Sequence, residues 1–148
     1  MTKIIDKDPF KATWNYEEAP ESTDHIHIKQ QYELYINGQF TKPTKGKYFD
    51  TINPANNKKI ARVAEATEDD IDKAVEAARK AFNSWSKLSG KERGKYIFRI
   101  ARLIQERARE FAVIESLDGG KPIRESRDID IPLAANHFFY YAGWADKL

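Results

Sequence analysis

The stretch that decides the fold is residues 116–148, SLDGGKPIRESRDIDIPLAANHFFYYAGWADKL. Gly119 and Gly120 suit the left-handed position just past the end of a helix, and Pro122 suits the first turn of the next one. The stretch therefore predicts one helix that stops here and another that starts at once. Asp130 is the predicted N-cap of the final helix, because Pro132 is tolerated in the first turn behind a cap.

The predicted final helix is apolar and aromatic. One face of it carries residues at i, i+3, i+4 and i+7, namely Phe138, Tyr141, Ala142 and Ala145. Further aromatics lie off that stripe, namely Phe139, Tyr140 and Trp144. A helix of this kind needs neighbours on both flanks, so we expect the chain alone to expose a large apolar surface along residues 133–144.

Upstream of this stretch, from Thr67 onward, apolar residues recur with the period of an α-helix. Thr67 is the predicted N-cap of a helix to about Phe82, where Asn83 and Ser84 break the pattern. The stripe of this helix is Ile71, Ala74, Val75, Ala78 and Phe82. Ser89 and Glu92 have the spacing of a capping box and predict the start of a second helix, and residues 109–117 predict a third.

The N-terminal half indicates short strands. Asn37-Gly38 between alternating residues predicts a hairpin over residues 32–40, and residues 48–52 and 59–64 are typical of further short strands. The fold class is therefore α+β, a small N-terminal hairpin or sheet of three or four strands followed by four or five helices.

Residues 1–31 are polar and indicate an N-terminal arm with only Phe10, Trp14 and Tyr16 as possible anchors. Residues 25–28 alternate like a solvated edge strand. His25 and His27 would lie on one face of it and could share a metal. His137 is the only other histidine, which leaves too few ligands for a zinc site, so the strand interpretation is favoured.

Composition excludes several classes. The 25 basic and 23 acidic residues are well mixed and give a net charge of +2, which argues against a nucleic-acid-binding surface. No apolar run is long enough for a membrane span, and the first residues lack the apolar core of a signal peptide, so a cytoplasmic protein is expected. The chain has no cysteine, which removes disulfides, thiolate metal sites and thiol nucleophiles.

Neither a catalytic group nor a cofactor loop is predicted within the chain. Gly119-Gly120-Lys121 lacks the spacing of a phosphate loop, and no GxGxxG occurs. Asp128 and Asp130 could be imagined as an acid/base pair. Helix caps beside Arg124 and Arg127 explain them better.

Several motifs occur together in one order: residues 51–54 (TINP), 74–82 (AVEAARKAF), 117–122 (LDGGKP), 128–130 (DID) and 140–147 (YYAGWADK). In this order and spacing they resemble the N-terminal part of the aldehyde dehydrogenase superfamily, the NAD(P)-dependent enzymes with a thiol nucleophile. One mild departure is Gly119, where many members have Asn. The resemblance covers residues 32–148, which it implies are the N-terminal portion of the family's cofactor-binding domain. The family's nucleophilic Cys and general-base Glu lie further on than this stretch.

The resemblance implies an enzyme that oxidises an aldehyde to a carboxylic acid with NAD or NADP. It implies no cofactor for this chain alone, which would be scaffold. The implied partner is the remainder of the enzyme or a complementary chain, in a homo-oligomer when complete. Two alternatives stay open: a non-catalytic interaction module, or one subunit of a split enzyme.

Two site predictions also come from the resemblance. In many members the Asp matching Asp118 holds a structural monovalent cation together with backbone carbonyls that match Thr51 and Ile52. From the residues alone, Asp118 at a helix C-terminus could instead pair with Lys121 or Arg124. Leu133 matches a position that lines the aldehyde tunnel in related enzymes, and the alternative is an ordinary leucine of the helix core.

Overall fold

The computed structural model describes residues 26–147. Most of the predicted arm (residues 1–31), with its three aromatic anchors and His25, lies outside the described residues. Residues 26–30 form no strand, so the predicted edge strand at 25–28 is wrong for the part that the structure describes.

Within residues 26–147, five short strands form two sheets. The predicted hairpin is confirmed: β2 (Leu34–Ile36) pairs antiparallel with β3 (Gln39–Thr41), and the turn residues Asn37 and Gly38 have φ of 53° and 78°. The other sheet has the order β1 (Gln31–Tyr32), β5 (Lys58–Ala64), β4 (Tyr48–Asn53). β1 runs parallel to β5. The sequence did not predict this pairing, because a strand of two residues is too short to show an alternation of apolar and polar side chains.

The first three helices follow the predicted order. They are α1 (Glu68–Trp85), α2 (Gly90–Glu106) and α3 (Ala108–Gly119). The predicted break at Asn83 and Ser84 is wrong, because Ser84 stays helical and donates its hydroxyl to the carbonyl of Ala81 at 3.0 Å. The capping box at α2 is confirmed: Glu92 N–H donates to Ser89 Oγ at 3.2 Å, and Ser89 N–H donates to Glu92 Oε2 at 3.0 Å.

The last helical region is continuous from residue 123 to residue 144. It consists of α4 (Ile123–Glu125), a π-helical turn (Ser126–Asp130) and α5 (Ile131–Trp144). Asp130 has helical dihedrals of −66° and −52° and makes no capping bond, so its predicted N-cap role is wrong. The N–H of Ile131 bonds to the carbonyl of Ser126, five residues back, and this wider turn accommodates Pro132, which has no N–H.

The face of α5 that packs on α2 combines small residues with one aromatic side chain. A Cβ built on Gly94 would lie 2.9 Å from the carbonyl oxygen of Ala142 and 3.6 Å from Ala145 Cβ. Phe139 meets Phe98 edge-on at 5.0 Å between ring centroids. The four residues predicted to share one helix face are therefore divided: Ala142 and Ala145 face α2, whereas Phe138 and Tyr141 are exposed.

The buried apolar side chains in the part of the chain that the structure describes are small, namely Ala61, Ala64, Ala101, Ala112, Val113 and Ala135. Many large apolar side chains are exposed instead, including Phe82 at 62% and Tyr140 at 60%. The expected apolar surface along residues 133–144 is confirmed, because Leu133, Phe138, Tyr140, Tyr141 and Trp144 are all exposed. Within the described residues, no helix combines the length and the apolar character that crossing a membrane requires.

Candidate cation site and tunnel helix

The end of α3 lies against the residue that follows β4. Gly120 has a φ of +71° and closes α3 in the left-handed conformation, as the sequence predicts. A Cβ built on it would lie 2.5 Å from Pro54 Cγ, so the chain after α3 touches the turn after β4. The two elements that carry the predicted cation ligands are therefore neighbours.

The ladder between β4 and β5 changes register at the predicted carbonyl ligands. Thr51 is paired with Ala61, but Ile52 is paired with Lys59, so the regular alternation is interrupted between Thr51 and Ile52. β4 is also an edge strand of its sheet within the described residues. Backbone oxygens at such a place, with a nearby carboxylate, are the hard donors that suit an alkali cation.

Asp118 is exposed and makes no hydrogen bond or ion pair with any residue in the described range. The predicted alternative, pairing with Lys121 or Arg124, is wrong. Lys121 bonds to Asp130 and Glu115, and Arg124 lies 4.0 Å from Asp128. The arrangement of Thr51, Ile52 and Asp118 fits the cation prediction, which stays a prediction.

The charges after α3 form two separate groups. Lys121 Nζ lies 2.7 Å from Asp130 Oδ2 and 3.1 Å from Glu115 Oε1, and the hydrogen bonds that it donates, first to Asp130 and then to Glu115, raise the pKa of Lys121. Asp128 is held by Arg127 at 2.7 Å, and this bond lowers the pKa of Asp128. Neither aspartate caps a helix, so the prediction that both are helix caps is wrong. Each aspartate pairs with a different cation, and the two do not form an acid/base pair.

Two serines join α3 to the π-helical turn. Ser126 is completely buried, and the hydroxyl of Ser116 donates to its Oγ at 3.1 Å. The sequence does not predict this contact, because two serines ten residues apart match no motif.

Leu133 is 51% exposed and is not a core residue of the described chain. The helix-core alternative would require the rest of the enzyme to bury this side chain, and it stays open. Ile129, one helical turn earlier, is 57% exposed, so the two side chains present an uncovered apolar pair. The tunnel prediction for Leu133 stays a prediction.

Asp70 is the most strongly perturbed acid in the described residues, and its role was not among the predictions from the sequence. It is 3% exposed and accepts hydrogen bonds from both the N–H and the hydroxyl of Thr44 and of Thr67. The hydrogen bond from the Thr44 side chain has the largest effect, and together these bonds hold the pKa of Asp70 far below its usual range. The three-residue spacing from Thr67 was the available signal.

We expect Asp70 to make the stability of the chain depend on acid pH. Its folded pKa is depressed, so the ionised carboxylate stabilises the fold above the unfolded pKa of about 3.9, and this contribution is lost as pH falls below that value. Asp70→Asn should lower stability at neutral pH and flatten the decline between about pH 5 and pH 3. Urea unfolding at several pH values measures this, with the exposed neighbour Asp69→Asn as control. Parallel declines in wild type and Asp70→Asn would contradict the assignment.

Comparison with known proteins agrees with the earlier resemblance. The model of the aldehyde dehydrogenase family matches residues 40–148. The chain is 41% identical over 129 residues to a long-chain-aldehyde dehydrogenase of Acinetobacter sp., covering 87% of this chain and 26% of that protein. It is 46% identical over 122 residues to an aldehyde dehydrogenase of Alternaria alternata, covering 82% and 24%.

The fold agrees with solved structures of the same family. The NAD+ complex of aldehyde dehydrogenase from Bacillus cereus superposes with a TM-score of 0.77 at 43% identity, over 79% of this chain and 24% of that one. The chain thus spans about a quarter of the length of the relatives it matches. The family model covers most of the sequence, and both relatives are well above 30% identical. The chain therefore belongs to the aldehyde dehydrogenase family.

Proposed function

We propose that this chain is the N-terminal scaffold of an NAD(P)-dependent aldehyde dehydrogenase, which oxidises an aldehyde to a carboxylic acid. The observation that carries the proposal is the family match over residues 40–148, in a chain a quarter as long as its relatives. In this proposal residues 32–148 form the N-terminal portion of the cofactor-binding domain, and residues 1–31 form an arm.

The chemistry of the proposed reaction needs groups that this chain does not contain. Aldehyde, water and NAD(P)+ give carboxylate, NAD(P)H and two protons, and the cofactor takes up the hydride. A thiol nucleophile requires a cysteine, and the sequence has none. It also has no GxGxxG loop for a pyrophosphate, so the residues present do not fit the cofactor, and we assign its binding to the rest of the enzyme.

The exposed apolar side chains support the scaffold role. Tyr140 and Tyr141 are each 60% exposed and lie on α5 beside Trp144, which is 40% exposed. Their combined apolar area approaches what isolated monomers rarely show, a few hundred Å². We propose that the remainder of the enzyme, or a complementary chain, covers this surface. We also propose that the complete enzyme is a homo-oligomer and that it works in the cytoplasm.

The test is complementation. The chain alone should neither bind NAD+ in calorimetric titration nor form NADH from an aldehyde. Mixed or co-expressed with the remaining three quarters of a family enzyme, it should restore NADH formation, while that partner alone should not. A saturable NAD+ isotherm for the chain alone, or no activity in the pair despite stable association, would contradict the proposal.

A matched pair of variants shows whether the surface on α5 is the interface. Tyr141→Asp should abolish complementation, because a carboxylate would be buried there without a partner. Arg124→Asp changes a side chain that is 89% exposed and should leave complementation intact. Equal effects of the two variants would argue against α5 as the covered surface.

We also propose that Asp118, Thr51 and Ile52 hold a monovalent cation in the complete enzyme. Asp118→Ala should then lower the free energy of unfolding by about 1–3 kcal/mol in sodium or potassium buffer, because the cation loses the carboxylate that binds it. In choline buffer, which lacks a small cation, wild type and variant should unfold alike. Glu125→Ala, an exposed carboxylate nearby, is the control. An Asp118→Ala enzyme that unfolds like wild type but loses turnover would contradict a structural role.

A further inference from the structure

The tip of the β2–β3 hairpin holds two groups that can react with each other. Asn37 and Gly38 form a two-residue loop between the paired Ile36 and Gln39, and both loop residues are exposed. Neither the side-chain amide of Asn37 nor the N–H of Gly38 makes a hydrogen bond with any residue in the described range. The amide carbon Cγ and the backbone nitrogen of the next residue are therefore both free, and a bond between them closes a five-membered ring.

The surroundings of the loop leave room for this ring. Nothing lies within 4 Å of the position that a Cβ would take on Gly38, and glycine has no side chain of its own to crowd the reacting nitrogen. Further space comes from a cleft of about 340 Å³, which the loop lines together with four alanines of α1, namely Ala74, Ala77, Ala78 and Ala81. Water and solvent base therefore reach both reacting atoms.

The other asparagines in the described range lack such a nitrogen. The residue after Asn53 is a proline, which has no N–H. The N–H that follows Asn56 donates to the carbonyl of Asn53 at 2.8 Å. The N–H that follows Asn57 donates to Asn56 Oδ1 at 2.9 Å. The remaining two lie inside helices, where the next N–H bonds to the preceding turn, namely Asn83 and Asn136. Within residues 26–147, Asn37 is thus the asparagine that the fold leaves open to attack.

We propose that Asn37 is a site of spontaneous covalent modification, at which the asparagine becomes a mixture of aspartate and isoaspartate. The nitrogen of Gly38 gives its proton to solvent base and forms a bond to Cγ of Asn37. The bond from Cγ to Nδ2 then breaks, and Nδ2 takes up a proton and leaves as ammonia. Water opens the cyclic imide: cleavage of the new N–Cγ bond gives aspartate, and cleavage of the bond from this nitrogen to the backbone carbonyl carbon gives isoaspartate. One water is consumed, one ammonia is released, and nothing is oxidised or reduced.

The two products act differently on the hairpin. A two-residue loop fixes the register of its strands, and its turn type requires positive φ at both positions, as found here at 53° and 78°. Aspartate tolerates that conformation and keeps the loop. Isoaspartate carries one more main-chain carbon, so the loop no longer fits a ladder in which Tyr35 and Phe40 meet at 5.1 Å between ring centroids. Formation of isoaspartate should therefore separate β2 from β3, whereas formation of aspartate should not.

Peptide mass spectrometry of the folded 148-residue chain, kept in mildly alkaline buffer, tests the site. The peptide that contains Asn37 should gain the mass difference between an amide and an acid. This change should be about five- to tenfold faster than in the peptide that contains Asn56 and Asn57, because each of those two positions must first lose a hydrogen bond. Asn37→Gln is the control, since its longer side chain forms the ring more slowly, and it should leave the first peptide unchanged.

Equal rates in the two peptides of the folded chain would overturn the proposal. Rapid change of Asn37 only after urea unfolding would also overturn it, because the hairpin would then protect the site. Amide hydrogen exchange tests the effect on the hairpin. Exchange at residues 34–41 should be faster in chain that contains isoaspartate, and Asn37→Asp should exchange like the unmodified chain. Equal exchange in all three would contradict the separation of β2 from β3.

Discussion

Gly120→Ala is expected to lower the free energy of unfolding of the chain by about 2–5 kcal/mol, the sum of two separate costs. The backbone at Gly120 has a φ of +71°, where a residue with a Cβ costs about 1–2 kcal/mol. The new Cβ would also lie 2.5 Å from Pro54 Cγ, and forcing a methyl into a packed contact costs about 1–3 kcal/mol more. Urea unfolding followed by circular dichroism measures the change.

Two further variants separate these costs. Gly46 has a φ of +63° and nothing within 4 Å of the position that a Cβ would take, so Gly46→Ala should show the backbone cost alone. Adding Pro54→Ala to Gly120→Ala should recover the packing part, as a double-mutant cycle would show. If Gly120→Ala costs no more than Gly46→Ala, α3 does not press on the turn after β4, and the elements of the proposed cation site are not held together as described.

The elements that the sequence predicted are those set by local chemistry. The Asn37-Gly38 turn, the Ser89 capping box and the Gly120 helix stop each depend on a few adjacent residues, and each is confirmed. The prediction that Asp130 caps the final helix was wrong because the residues around Pro132 are compatible with two structures, a helix start and a π-helical turn. A π-helical turn accommodates the proline without ending the helix, and the local sequence does not distinguish the two.

Contacts between distant residues account for most of what the sequence missed. Thr44 and Asp70 are 26 residues apart, and no periodicity predicts that one loop donates to that carboxylate. The aromatic side chains of α5 predicted an apolar surface that the chain leaves exposed, but they did not indicate which face of the helix packs against α2. The inner face is instead decided by Gly94, whose missing side chain lets α5 approach.

In the candidate site, too, the identity of the residues was predicted, whereas the ion pairs beside them depend on the fold. Thr51, Ile52 and Asp118 came from resemblance, and the structure places the elements that carry them side by side. Lys121 and Arg124 were the two partners that the sequence offered for Asp118 as an alternative to a cation. Lys121 pairs with Glu115 and Asp130 because the fold brings those carboxylates nearer.

Gly94→Leu is expected to destabilise the chain by about 3 kcal/mol or more, since overpacking a close helix contact forces the backbones apart. Gly94 is buried in the second turn of α2, and even a Cβ would lie 2.9 Å from the carbonyl oxygen of Ala142. A backbone oxygen cannot turn away as a flexible side chain can, so α2 and α5 must separate. Hydrogen exchange along residues 131–144 and urea unfolding should both report the loss.

Gly143→Leu is the matched control on the other helix. Nothing lies within 4 Å of a Cβ at Gly143, so in the 148-residue chain leucine should stabilise α5 by about 0.5–1 kcal/mol through helix propensity. Opposite signs for the two variants would confirm that Gly94 is needed for close packing and that Gly143 is not, and equal losses would contradict the α2–α5 contact. In the complemented enzyme, the rest of the polypeptide is proposed to pack on α5 and to fill the open space beside Gly143. If it does, Gly143→Leu should lower the free energy of unfolding there instead of raising it.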